Sequence, residues 1–380
     1  MTTADDRIRV LALVPALYDT APGQRFRMEQ WAPYLCERGI DVEFRAFECE
    51  ELHDTIYRPG GAAKKARLIG RAIGRRIGQV RSASRHDVAY VFREAALVGP
   101  ALFERWIRHL GVPIVFDFDD AVFERYVSPS NGCVSLIKCP GKIRTICRIA
   151  SHVMAGNPYL ESYARQVNAH VTMVPTTIET SVYTVGAPRP AADVPVVGWS
   201  GSYSTVQHLD GLRTALVTLA GARGFRLRVI GTPRLDLPGV DVEASAWRAA
   251  TEVEDLRAID IGVMPLPDDR WSRGKCGLKA LQYMALGIPV VCSPVGVNRD
   301  IIQHGQNGLL AATDEEWVGC LTSLLESAEL RTRLGLAGRA TVEQRYSAQV
   351  QAPVVHDILA RAASGAASRV APPRRPERVV

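Results

Sequence analysis

The sequence predicts an α/β protein of two domains, each built on a parallel sheet. Three observations carry this. At 380 residues the chain is long enough for two domains. Its first strand, 7–14, is almost continuously apolar, as in a parallel strand covered on both faces. A second strand–loop–helix unit begins at 196, just after a Pro- and Ala-rich stretch, 186–195, without periodicity. The expected layout is a first domain over 1–185, a linker over 186–195 and a second domain over 196–347. A helix over 348–363 returns to the first domain, and a disordered tail over 364–380 follows.

Composition narrows the class. Hydrophobic residues make up 47% of the chain, enough for full cores. No stretch approaches the roughly 20 apolar residues of a membrane span. The N-terminus leads straight into a strand, so a cytoplasmic protein without a signal peptide is expected. Eight cysteines are scattered without Cys-x-x-Cys or finger spacing and read as reduced thiols, with no metal site. The net charge is +6.

In the first half, the loop 15–23 leads to a helix over 24–35. It has no Gly-x-Gly-x-x-Gly, which argues against a dinucleotide oxidoreductase. The segment 62–85 carries eight basic residues and no acid, with Leu68, Ala72 and Val80 on an apolar face. Such a helix either docks on its own domain, the favoured reading, or lies on an anionic membrane surface. Its arginines lack interleaved aromatics, so nucleic acid is not an expected partner. A strand at 88–92 ends at Arg93, and a strand at 113–120 runs into Asp117, Asp119 and Asp120. Ligands of open α/β sheets bind beyond strand carboxyl ends, so all three aspartates are expected to serve function and not packing. The segment 128–141 reads as a loop over a cleft.

In the second half, strand 196–200 leads into Gly201 and Ser202, and strand 225–231 ends at Gly231. Trp247 precedes a helix containing Glu252, and the strand 259–266 delivers a loop ending at Lys275. From Arg273 a Gly-containing loop enters a helix that Gly287 and Pro289 close. Lys275, Lys279 and Gln282 fall at i, i+4 and i+7 and are expected on one stripe, beside an apolar stripe of Leu278, Leu281 and Ala285. Lysines beside a helix N-terminus favour a phosphate; an ordinary surface helix is the plainer reading.

The run Gln282-Tyr-Met-Ala-Leu-Gly-Ile-Pro-Val-Val291 resembles the nucleotide-sugar site of the retaining glycosyltransferases of the GT-B fold, specifically family four, also called group 1. The resemblance is strong over 196–347 and weak before it. It implies two Rossmann-like domains facing a cleft. Two family glutamates fall on Gly274 and Gln282. The second implies ribose binding by Gln282, since an amide can serve a diol; Gly274 removes a donor-sugar contact. The family's phosphate-gripping Arg and Lys are missing after the first strand of the second domain, which turns the diphosphate to Arg273 and Lys275, with backbone N–H groups of Gly201 and Ser202.

The resemblance further implies Gly23 and Arg25, or Arg27, across the cleft. It sets Gly231 and Leu278 along the donor and Trp247 or Arg248 on the base. Asp119 and Asp120 then lie near sugar and acceptor, forming with Lys275 the catalytic set. The expected reaction is metal-independent transfer from a nucleotide diphosphate sugar to a hydroxyl or amine, with retention and no cofactor. The acceptor is a small molecule, glycan or lipid-linked group. A non-catalytic nucleotide-sugar-binding scaffold and a sugar-nucleotide epimerase of the same fold are the alternatives.

Overall fold

The computed structural model describes residues 7–56, 60–124, 139–186, 194–201 and 205–370, with side chains to 365. Two six-stranded sheets organise them, and every strand pairing is parallel. The first contains β1 (Ile8–Val14), β2 (Ile40–Ala46), β3 (Val88–Phe92), β4 (Ile114–Phe118), β5 (His152–Ala155) and β6 (Val171–Met173), in the order β2-β1-β3-β4-β5-β6. The second contains β7 (Val196–Ser200), β8 (Arg226–Ile230), β9 (Asp241–Ser245), β10 (Ile261–Met264), β11 (Val290–Cys292) and β12 (Leu309–Leu310), in the order β12-β11-β10-β7-β8-β9. Both orders reverse direction once, between β1 and β3 and between β7 and β10. A crevice opens at such reversals, beyond the carboxyl ends of the strands.

The central strands β3 and β4 are buried at every position, which explains the apolar run of β3 and leaves Asp117 as the one charged residue inside β4. The helices around the two sheets include α1 (Gln30–Glu37), α2 (Ala62–Arg81), α3 (Pro158–Arg165), α4 (Glu252–Arg257), α5 (Leu278–Ala285) and α6 (Ala348–Val370). Helix α6 sets Ala352, Val355 and Leu359 into the core that holds Val10, Trp31 and Tyr90 of the first domain. It runs to Val370, past the expected end at 363, so the first residues of the expected disordered tail are helical. Residues 371–380 lie outside the described residues, as do most of the expected linker and the loop over 128–138.

Other expectations need correction. The chain before α1 is not a regular helix, because Phe26 and Arg27 depart from helical angles inside a π-type turn at Arg25–Glu29. That kink drives Arg27 inward. The Arg27 side chain is fully buried, forks onto both oxygens of Asp117 at 2.7 and 2.6 Å, and donates to the Val174 carbonyl at 2.9 Å. Tyr90 donates its hydroxyl to the same carboxylate. Asp117 therefore packs and neutralises, and neither it nor Arg27 reaches the crevice.

Helix α2 docks on the first domain through Leu68, Ala72 and Val80. Its Arg76 is also buried, donating to the Arg45 and Val14 carbonyls at 2.9 and 3.0 Å. Desolvation pushes that guanidinium down to about 9. Arg67 and Arg71 remain exposed. Among the described residues no helix is long and apolar enough to cross a membrane.

Candidate active site

The carboxyl ends of the two sheets meet. The residues after β4 and β5 lie against the loop that follows β10, and four contacts fasten them. Lys275 donates from Nζ to Asp120 at 2.8 Å. The Cys276 thiol donates to the Asp119 carbonyl at 3.1 Å. Asn157, which caps α3 with its Oδ1, donates through Nδ2 to the Lys275 carbonyl at 2.9 Å. Gly274 lies so close to Ala121 that a Cβ there would stand 2.5 Å from the alanine Cβ and 2.7 Å from its nitrogen. A glutamate at 274 cannot be accommodated against that loop, which is the physical reason for the glycine.

Asp119 and Asp120 form one charged cluster with Arg93. The guanidinium donates from Nε to Asp119 at 2.6 Å and from Nη2 to Asp120 at 2.8 Å. Arg93 is held at φ 57°, a left-handed angle that costs a non-glycine residue energy. Its N–H donates to the Asp117 carbonyl at 2.7 Å, which keeps the strained turn in place. Gly23 sits directly above: a Cβ there would fall 2.6 Å from both Arg93 and Asp119. The neighbouring Lys275 and Arg93 cations hold the Asp120 carboxyl below its usual range despite burial.

A second cluster gathers on Glu252, the first residue of α4. This buried carboxylate accepts from Arg25 Nη1 at 2.8 Å, Tyr183 hydroxyl at 2.7 Å, Trp247 Nε1 at 2.9 Å and Gln282 Nε2 at 3.2 Å. Arg25, from the first domain, also lies 5.6 Å from the centre of the Trp247 ring. Arg25, Trp247 and Gln282, singled out separately in the sequence, are thus joined by a residue that was not. Since Glu252 only accepts, it fixes the amide of Gln282 with its nitrogen inward.

The expected polar stripe does not exist. Helix α5 begins at Leu278, because Gly277 takes a left-handed angle (φ 72°) and turns the chain. Lys275 consequently lies in the preceding loop and points to Asp120, while Gln282 is buried against Tyr183 and Glu252. Lys279 alone lies over the Trp199 ring, 4.8 Å from its centre. Leu281 and Ala285 are buried, as an inward face should be; Leu278 is only partly so.

Three further residues differ in role or position. The Gly201 N–H donates to the Ile230 carbonyl at 2.9 Å, so it is not offered to a ligand. Gly231 (φ 123°) is required by that same turn, since a Cβ would lie 1.8 Å from the Gly201 oxygen. Arg273 is exposed and pairs with Asp268 at 2.7 Å, apart from the Asp120 cluster. Arg248 is exposed beside Trp247, and Ser202 lies outside the described residues. Sequence reading therefore missed Tyr183 and gave Glu252, Asn157 and Arg93 no role. Arg93 and Asn157, each at a strand's carboxyl end, carried a readable signal.

Comparisons with known proteins agree with this architecture. Residues 194–327 match the family model described as Glycosyl transferases group 1. A D-inositol 3-phosphate glycosyltransferase of Pseudarthrobacter chlorophenolicus is 31% identical over 138 residues, 34% of this chain and 30% of that one. The match thus spans less than a third of the curated relative. A sucrose-phosphate synthase from Thermosynechococcus elongatus superimposes with a TM-score of 0.68 at 14% identity, over 94% of this chain and 100% of that one. Anabaena HepE in complex with UDP and glucose gives 0.66 at 15% identity, over 93% and 100%. A glycosyltransferase from Rickettsia africae gives 0.68 at 12%, over 94% and 99%. The fold is that of the GT-B glycosyltransferases, and the group 1 sequence pattern occupies its second domain.

Proposed function

We propose that the chain is a glycosyltransferase that moves a sugar from a nucleotide diphosphate sugar to an acceptor hydroxyl or amine, with retention at the anomeric carbon. One observation carries the reading. Lys275, in the loop before α5, pairs with Asp120 after β4, and Lys279, in the first turn of α5, lies beside it, at the strand ends where such folds bind ligands. The group 1 match over the same domain and the UDP held by a protein of the same fold support a nucleotide donor.

Chemistry of this kind asks little covalent work of the protein. The negative charge that develops on the departing diphosphate is met by ammonium groups fixed in advance. The acceptor is held by the carboxylates of Asp119 and Asp120, oriented by Arg93. With retention on one face, the departing phosphate takes the acceptor proton. Gln282, its amide nitrogen turned to Glu252, presents its Oε1 to a ribose hydroxyl. Trp247, half-buried beside Arg25, offers a face to the base. The reaction needs no metal and no cofactor in this reading. It sets the protein in the cytoplasm, where nucleotide sugars are made.

The Asp120–Lys275 pair also favours a second reading, a scaffold that binds without turnover, because it occupies a lysine that catalysis would use. Release of nucleoside diphosphate separates the two. The chain is incubated with UDP-, GDP-, ADP- and TDP-sugars and simple acceptors. Diphosphate release with a retained glycosidic product supports transfer. A bound but intact donor under every acceptor sinks it.

A further inference from the structure

Resting on that reading, we infer that Lys279 is the first residue to grip the donor's phosphates, while Lys275 stays tied to Asp120 across the cleft until that contact is exchanged. The two lysines are only four residues apart but differ in every contact. Lys275 meets Asp120 at 2.8 Å and the Trp271 ring at 4.9 Å. Lys279 meets no carboxylate among the described residues; its ammonium stands over Trp199, the last large side chain of β7. A phosphate that enters beside α5 would have to strip Asp120 from Lys275, but finds Lys279 with its charge unmatched.

The surroundings of Lys279 add to this. It feels Lys275 from the preceding loop and, more weakly, Asp120 from the end of β4. From the 206–212 turn, His208 faces both lysines and also feels Asp269. An unpaired lysine beside a second cation in a partly desolvated place is costly to the empty protein. A dianionic phosphate removes that cost, so the cost is expected where an anion must be bound and later released. Burial and Lys275 lower the Lys279 ammonium to about 7, and burial and both lysines lower His208 to about 4. Asp120 is already ionised well below neutrality. Between pH 6 and 8, Lys279 is therefore the member of this group whose charge changes. Its protonated fraction in the empty protein falls from about nine-tenths at pH 6 to about one-tenth at pH 8. A bound phosphate holds the proton on, so binding above pH 7 must take one up.

The test is isothermal titration of UDP, GDP, ADP, TDP and inorganic pyrophosphate into wild type, Lys279→Arg and Lys279→Met, at pH 6 and pH 8. Lys279→Arg keeps the charge at both values. The ratio of wild-type to Lys279→Arg affinity cancels the ligand's own ionisation and is expected to fall about tenfold from pH 6 to pH 8. Lys279→Met is expected to bind at least tenfold more weakly at pH 6, with an unfolding temperature no lower than wild type. If wild type binds a nucleotide and both variants match its affinity at both pH values, the assignment to Lys279 is overturned and the donor reading stands. If wild type binds none of the five, the donor reading falls and this inference falls with it.

Discussion

Single residues decide how the acids at the end of β4 are used. Asp117, Asp119 and Asp120 look alike in the sequence, yet one is bound in the core and two are at the crevice. Period two places Asp117 and Asp119 on one side of the strand, but only Asp117 lies within β4, where Arg27 and Tyr90 close over it. Nothing in the sequence marks the inward kink at Arg27, because it arises from a π-type turn. Removing one member of a fully buried pair strands the other charge, so Arg27→Met or Asp117→Leu should each cost about 3–5 kcal/mol of stability in chemical denaturation. The double variant should recover much of that loss. Equal and additive losses would show that the pair is not coupled. Lys279 gives the opposite sign. Its folded value of about 7 lies below its unfolded value, so the unfolded chain binds more protons between them, and stability rises with pH across that window. Lys279→Met should therefore stabilise the fold, by on the order of a few kcal/mol below pH 7, and flatten that rise. A melting curve unchanged in level and in pH slope would count against it.

At the scale of elements, the site depends on which turns are interrupted. The alternation of apolar runs and amphipathic stretches was enough to read the parallel strands and the crevice at their carboxyl ends. Helix faces were read less well, because Gly277 starts α5 one turn later than periodicity alone suggests and so separates Lys275 from Lys279. The link between α4 and α5 was invisible for another reason: Glu252 and Gln282 lie 30 residues apart in sequence, and no local pattern announces their contact. That contact explains the amide at 282. A glutamate there would set a second carboxylate near 3.2 Å from Glu252 in a buried place. Two such groups cannot both ionise cheaply, so one would keep its proton well above the ordinary value. Its folded form would then bind more protons than the unfolded chain, and stability would fall as pH rises from about 4.3. Gln282→Glu should thus unfold near the wild-type temperature at pH 4.5 and well below it at pH 8. Parallel wild-type and variant curves across that range would show that the two groups do not meet.

Across the whole molecule, two kinds of contact hold the sheets together, and they differ in cost. Arg25, Tyr183 and Gln282 converge on a Glu252 carboxylate that is only 4% exposed, and Arg339 donates to the Thr180 carbonyl at 3.0 Å and the Ala285 carbonyl at 2.6 Å. Breaking these exposes buried charge. The Lys275–Asp120 pair is different, with side chains 22% and 15% exposed, so solvent reaches it and an incoming anion can take the place of the carboxylate. A donor seated on α5 can therefore exchange the second contact without disturbing the first. Asp120→Asn removes the charge that competes with a phosphate for Lys275 but leaves a similar shape. It should bind nucleoside diphosphate several-fold more tightly than wild type while transferring sugar far more slowly, because the same carboxylate is assigned to the acceptor. The binding gain should shrink at about 0.5 M salt, where exposed charges are screened within about 4–5 Å. Tighter binding with unimpaired turnover would leave Asp120 as a latch alone and pass the acceptor role to Asp119. Weaker binding would mean that Asp120 orders the lysines for the donor and does not compete with it.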